Sequence, residues 1–437
     1  MAPPPDAVDG ELAVDVLVIG AGIQGLYIAR EVAKTYSVCV VSDPATTSST
    51  LESDGYLSVG YDGNDVNRIQ PARRAAAWWR LWAESNQVPF EPGPTWYVVT
   101  PDELSRRTRL WTDAALAVTQ SDGLPPLFAG GSLADHVAFR TETDLVVDPA
   151  VVLTELRRDI ADRCLEAEVV RFGLFTDEAI DDVEIEVGGA LVPVVARFVV
   201  LAAGVGNADL LTKLSSRLSD HVRRKSAKEL VDASQAVRLQ YQLCLRGDLP
   251  DVSGRFGHLT VTSHHVGPGD RRVWVISPPV DDARTTLGPT NTRFDPPIDG
   301  PTVAAVVEDL LAAGPGLVEQ AGTLEWSVYV SRRAQHPSMA TPDTSGVAQP
   351  VPAKLEKLDL EGFLAVWPSH LAYAQFVGDS VAERVAEALG PPGDYADSLQ
   401  PADLGASAPE LVARWNRSDF PWHDWESFRQ TYAITAP

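Results

Sequence analysis

The stretch VDVLVIGAGIQGLYIAREV, Val14–Val32, decides the fold. Val16–Ile19 is a short continuous apolar run, the pattern of a strand buried on both faces of a parallel sheet. From Ile23 to Lys34 the apolar residues Ile23, Leu26, Ile28, Ala29, Val32 and Ala33 recur with helical spacing. Between the two lie Gly20, Gly22 and Gly25, a G-x-G-x-x-G turn. Gly20 permits the tight bend, Gly22 lets backbone amides approach a pyrophosphate, and Gly25 lets the helix lie against the strand. SVCVVSD, Ser37–Asp43, is a second buried strand, and it ends in an acid. Strand, glycine turn, helix and terminal acid together predict a bound dinucleotide. Its pyrophosphate rests on the first turn, with Ile23 and Gln24, and its ribose hydroxyls reach Asp43. Asp43 would repel the 2′-phosphate of NADP; the glycine spacing alone leaves NAD and FAD both open.

Composition narrows the partners. The formal net charge of −24 argues against a sequence-independent grip on nucleic acid and against an anionic membrane surface. The three cysteines, Cys39, Cys164 and Cys244, are far apart, which fits neither a disulfide framework nor a zinc site, and no metal is expected. A reducing cytoplasm is the expected compartment. Residues 1–11 are Pro-rich and acidic and read as a flexible tail; no apolar run is long enough for a membrane span.

Further along, ARRAAAWWRLWAES reads as a helix, and Asp148-Pro149 as an N-cap followed by proline at the first helical position. VEIEVGGALVPVVARFVVLAAG reads as a hairpin with a Gly-Gly turn leading into a buried strand. Residues 235–279 alternate, the pattern of an antiparallel sheet covered on one face. Buried strands near residues 18, 200 and 365, with antiparallel material between, predict an α/β (α+β) chain in two interleaved domains. The expected division assigns 12–80, 145–215 and 325–400 to a Rossmann-like cofactor domain. It assigns 81–144 and 216–324 to an antiparallel-sheet substrate domain, and 401–437 to a C-terminal extension.

Several segments, in order, resemble the D-amino-acid oxidase superfamily of flavoproteins, which includes glycine and sarcosine oxidases. They are TTSSTLESDGYLSVG, GPTWYVVTPDEL, LVVDPAVVLTELRRDIADR, ARFVVLAAGVGNADLL, and MATPDTSGVAQPV followed by EGFLAVWPSHLAYAQFVGDSVAERV. The resemblance implies FAD as cofactor. Ser48, Ser49, Asp54 and Gly55 would pass its phosphates and flavin, and Val169 would meet its adenine through the backbone. Ala203 and Gly204 would lie beside it, and His370, Leu371, Ala372, Tyr373, Ala374 and Gln375 would approach the flavin's pyrimidine end. RRAQHPSMATPD carries no cysteine for the covalent attachment of the sarcosine-oxidase branch, so the FAD is expected to be noncovalent.

By the same resemblance the reaction is hydride transfer from an amine or amino acid to the flavin, giving an imine and, in an oxidase, hydrogen peroxide. A substrate carboxylate calls for an arginine fork, and Arg332 and Arg333 occupy the matching region, with His370 as a third candidate for the chemistry. Tyr241, Trp274 and Tyr329, on predicted strands, are candidate pocket walls. No lysine lies between Lys228 and Lys354, which leaves a dehydrogenase using another acceptor open. A non-catalytic FAD-holding subunit is the remaining alternative. The oligomeric state and the substrate are not legible in the sequence.

Overall fold

The computed structural model describes residues 10–46, 48–59, 66–91, 94–175, 178–234, 236–266, 271–278, 284–286, 297–334, 353–356, 358–368, 371–395, 399–405 and 411–435. His370, most of the expected 1–11 tail and the MATPDTSGVAQPV segment lie outside them, as does the side chain of Arg333.

The opening stretch folds as β1 (Leu12–Ile19), α1 (Ile23–Val32) and β2 (Val38–Ser42), with Asp43 immediately after β2. Both strands join an eight-stranded sheet. Its five parallel strands run Cys164–Glu166, β2, β1, Ala190–Leu201 and Phe363–Pro368, so the runs expected near residues 18, 200 and 365 lie side by side. Strands Glu168–Phe175 and Ala179–Val187 extend it as an antiparallel meander, and Ala353–Glu356 pairs with Phe363–Pro368.

Alternation within β1 explains why the run is apolar throughout. Val16 and Val18 meet α1 and the helices Pro149–Arg158 and Ala374–Leu389, while Leu17 and Ile19 meet the meander and the helix Asn207–Ser215. Each fully buried valine or leucine contributes about 1.5–3 kcal/mol against exposure, and neither face of β1 is left to water. Local signals hold where expected. Asp148 Oδ1 accepts from Ala150 N at 2.8 Å ahead of Pro149, and Gly188 and Gly189 both take positive φ (58° and 86°) in the hairpin turn.

A second, ten-stranded sheet is antiparallel except where Ser253–Phe256 pairs with Thr95–Val99. One face packs on the helix Gly300–Ala313 through Leu243, Leu245, Trp274, Ile276 and Val328. Its opposite face, with Cys244, Val273, Val275 and Tyr329, packs against Ala150 and a C-terminal segment carrying Ala413, Trp415 and Phe420. Two features depart from the expected division. Strand Glu325–Ala334, expected with the cofactor domain, pairs along its whole length with Ala236–Gly247. The expected extension enters the same sheet, His423–Asp424 pairing with Trp326 and Glu325.

Candidate functional site

The glycine turn opens onto a groove of about 650 Å³. Gly20, Gly22, Ile23, Gln24, Asp43, Ser48, Ser49, Val169, Ala203 and Gly204, ten residues singled out in the sequence, all line it. Gly20 has φ +118°, and a Cβ on it would come within 2.5 Å of the Ala202 carbonyl. A Cβ on Gly25 would meet the Gly20 carbonyl at 1.8 Å, so only glycine lets α1 lie on β1. Gly22 faces the groove, where an added Cβ would reach Ser48 Oγ at 3.2 Å and fill the cradle its backbone leaves open.

The loop after β2 completes this cradle. Ile23 N, at the start of α1, donates to Thr50 Oγ1 at 3.2 Å, and Thr50 N donates to Ser48 Oγ at 3.2 Å. Thr50 was missed in the sequence although it continues the Ser48-Ser49 run. At the outer end Asp43 Oδ1 accepts from Ala45 N at 2.8 Å. On the far wall Ala203 N donates to Asn207 Oδ1 at 2.9 Å, and Asn207 Nδ2 donates to the Val366 carbonyl at 2.9 Å, fixing the Gly204 turn to the next strand. The Val169 carbonyl accepts from Lys213 Nζ at 2.7 Å. Open glycine backbone on a helix N-terminus, a terminal acid and a long polar trough fit the adenosine and pyrophosphate of a dinucleotide. Cys164 also lines the groove, but burial pushes its thiol up to about 11, leaving an un-ionised sulfur rather than a nucleophile.

The expected Leu371–Gln375 segment lies outside this groove. Leu371–Tyr373 forms one 3₁₀ turn that starts the Ala374–Leu389 helix. Its carbonyls are gripped from two sides, Ala372 by Trp79 Nε1 at 2.8 Å and Ala374 by Gln24 Nε2 at 3.3 Å. The side-chain carbonyls of Gln24 and Gln375 are buried with no hydrogen-bond partner among the described residues.

Asp54 and Gly55 also lie beyond the groove, at a seam between the two sheets. His264 Nε2 lies 2.9 Å from the Asp54 carbonyl, which only accepts. Burial lowers the imidazole's proton affinity, so the ring is neutral and donates from Nε2. Ser277 Oγ donates to Asp54 Oδ2 at 2.9 Å, and Gln242 joins through Ser277. Gly55 has φ +74°, and a Cβ there would strike the Val147 carbonyl at 2.0 Å. His265 points the opposite way, to Arg272 at 2.7 Å, as strand alternation requires.

Arg332 joins the same seam, but held from within. Its Nη2 donates to Glu52 Oε1 at 3.1 Å, and its backbone N–H donates to Glu52 Oε2 at 3.1 Å. Both side chains are buried, at 3% and 1% exposure, so this is an internal ion pair rather than a solvated arginine. Burial raises the Glu52 carboxyl's pKa, and the Arg332 charge opposes that rise. Tyr329 OH donates to the Glu52 carbonyl at 2.9 Å. Glu52 carried no signal in the sequence, because its partner lies 280 residues away.

Two expected wall residues need correcting. Trp274 packs under the Gly300–Ala313 helix and donates to the Pro250 carbonyl at 3.0 Å. Tyr241 packs with the same cluster, its hydroxyl accepting from Asp299 N at 3.1 Å. Both belong to the helix-covered face of the sheet, because one-residue alternation decides the face and both faces here are apolar. Among the described residues no group of His, Cys, Asp and Glu is arranged to hold a metal ion, and no helix is long and apolar enough to cross a membrane.

Comparison with solved structures agrees with this architecture. An FAD dependent oxidoreductase from Pseudomonas aeruginosa is 21% identical, with a TM-score of 0.59 over 90% of this chain and 96% of that one. A glycine oxidase from Geobacillus kaustophilus is 16% identical, with a TM-score of 0.60 over 86% and 95%. An L-proline dehydrogenase from P. horikoshii is 15% identical, with a TM-score of 0.60 over 98% and 100%. At these identities the likeness shows the fold. No curated protein matches the sequence. The family model described as DAO, FAD dependent oxidoreductase, matches residues 15–352, which contain the glycine turn, most of the residues lining the groove and the Glu52–Arg332 seam. The chain therefore belongs to the DAO family of FAD-dependent oxidoreductases.

Proposed function

We propose that the protein oxidises the C–N bond of an amine or amino acid to an imine, which water then hydrolyses to a carbonyl compound. The observation that carries this reading is the buried Glu52–Arg332 pair at the end of the cofactor loop. A carboxylate beside a guanidinium is the complement of a substrate bearing an ammonium and a carboxylate. Bound FAD supplies a two-electron acceptor for the hydride that leaves the substrate carbon.

The chain's own residues orient and enclose. In this reading a substrate carboxylate would meet the Arg332 guanidinium, whose position Glu52 fixes. Tyr329 holds the Glu52 backbone from the other side. His264, neutral and tied to Asp54, sets the loop against the antiparallel sheet without adding charge. Tyr329 and Phe420, edge to face at 5.8 Å, help exclude water from the seam. The FAD is held noncovalently, in keeping with three buried cysteines.

Product analysis tests the reading. The FAD-loaded protein, incubated with a panel of amines and amino acids, should release a carbonyl product together with ammonia or an amine from at least one of them. A panel of hydroxy acids oxidised in place of every amine would reject it. A second reading keeps the same chemistry with an electron acceptor other than oxygen. It is favoured by the lack of any lysine from residue 229 to 353, the stretch that supplies most of the antiparallel sheet.

A further inference from the structure

The groove has a third wall that comes from neither the glycine turn nor the family-matched part of the chain. Leu411, Val412, Arg417, Ser418 and Asp419 line it together with Gly22 and Asp43, and all five lie beyond residue 352, where the family match ends. This C-terminal segment is fastened at defined points. Arg414 N donates to the Leu51 carbonyl at 2.8 Å, tying the segment to the same loop that supplies Ser48, Ser49 and Thr50. Trp415, 1% exposed, lies nearly parallel to the His264 ring with centroids 4.5 Å apart. Phe420 packs on Tyr329, and Arg417 makes a two-pronged pair with Asp419 at 3.1 Å and 3.1 Å. The Trp415 indole nitrogen, buried, has no hydrogen-bond partner among the described residues.

We propose that residues 411–420 form a strap that retains the cofactor, docking across the groove so that FAD occupancy and strap docking stabilise each other. The coupling follows from shared surface. Strap residues line the groove, so FAD in the groove buries against them, and the strap in turn slows FAD release. Linkage makes the effect reciprocal: whatever factor the docked strap adds to FAD affinity, FAD adds to strap docking. The inference rests on FAD as the cofactor and not on any particular substrate.

Limited trypsin digestion reads the coupling without turnover, because Arg417 is a cleavage site at 39% side-chain exposure. In the unaltered chain, saturating FAD should slow cleavage after Arg417 by about tenfold or more. The variant Trp415→Ala/Phe420→Ala, checked for native circular dichroism, should release FAD about tenfold faster, followed by return of free-flavin fluorescence. Cleavage at the same rate with and without FAD, or faster with it, overturns the strap even where the double variant fails to fold. A release rate within about twofold of the unaltered chain's, in a folded variant, overturns it as well. FAD that binds and leaves with no effect on the strap refutes this inference alone. A chain that takes up no FAD refutes the cofactor assignment and the strap with it.

Discussion

At the scale of single residues, the site depends on atoms that have no room to be anything else. Gly25 is the sharpest case, since an added Cβ would sit 1.8 Å from the Gly20 carbonyl. Gly25→Ala should push α1 off β1, lowering stability by about 1–3 kcal/mol and weakening FAD binding in the same variant, as thermal melting and flavin titration would show. Asp15 acts within β1. It is fully buried and accepts from Arg197 Nη1 at 2.8 Å, Gly393 N at 2.9 Å and Ser37 N at 3.0 Å. Burial alone would raise its pKa, but these donors outweigh burial and hold the carboxyl below its usual value. A carboxyl depressed in the folded state adds stability above its unfolded pKa of about 3.9, and that contribution disappears as pH falls through the folded value. Urea unfolding should therefore show stability dropping below about pH 4, and Asp15→Asn should flatten that acid limb while lowering stability at pH 7. Unchanged steepness in the variant would remove Asp15 from the acid response. Asp43 and Gly25 were legible in the sequence because neighbours within one β-α-β unit define them. Glu52 and Asp15 were not, since Arg332 for the one and Arg197 and Gly393 for the other lie far along the chain.

At the scale of elements, the local signals that carry a mechanism are the ones the structure repeats. The Asp148 cap stands on one 2.8 Å bond to Ala150 N, and Asp148→Ala should cost about 1 kcal/mol with little change in FAD affinity. A loss near zero in chemical denaturation would mean the cap is replaced by water. The Gly-Gly hairpin was readable for a similar reason: two consecutive residues at positive φ leave glycine nearly alone as a choice. Strand Cys164–Glu166 was missed because three residues ending in a charge carry no periodicity, yet it closes the parallel sheet beside β2. The faces of Tyr241 and Trp274 were misjudged because period-two alternation does not say which face meets a helix. The Glu325–Ala334 strand was grouped with the wrong sheet because pairing partners in a sheet need not be neighbours in sequence.

At the scale of the whole molecule, the proposed reaction site is a seam and not a motif. The glycine turn opens the groove on one sheet, the loop through Thr50, Glu52 and Asp54 crosses from that groove, and the second sheet supplies His264, Ser277 and Arg332. The two-sheet plan was legible from the spacing of buried and alternating runs. The seam was not, because it exists only once residues 52, 264 and 332 meet. Arg332 tests the seam as a unit. Arg332→Met should raise KM for amino acids much more than for amines lacking a carboxylate; equal losses for both would reduce Arg332 to a brace for Glu52. Because the substitution also leaves Glu52 without its partner charge, it should cost about 3–5 kcal/mol of stability, so kinetics belong well below the melting temperature. The most direct test of the central claim is the visible absorbance of the purified, FAD-loaded protein mixed without oxygen with an excess of amine or amino acid. Bleaching of the bound flavin by at least one such compound is the predicted result. A protein that carries no flavin, or whose bound flavin no amine or amino acid reduces, would contradict it.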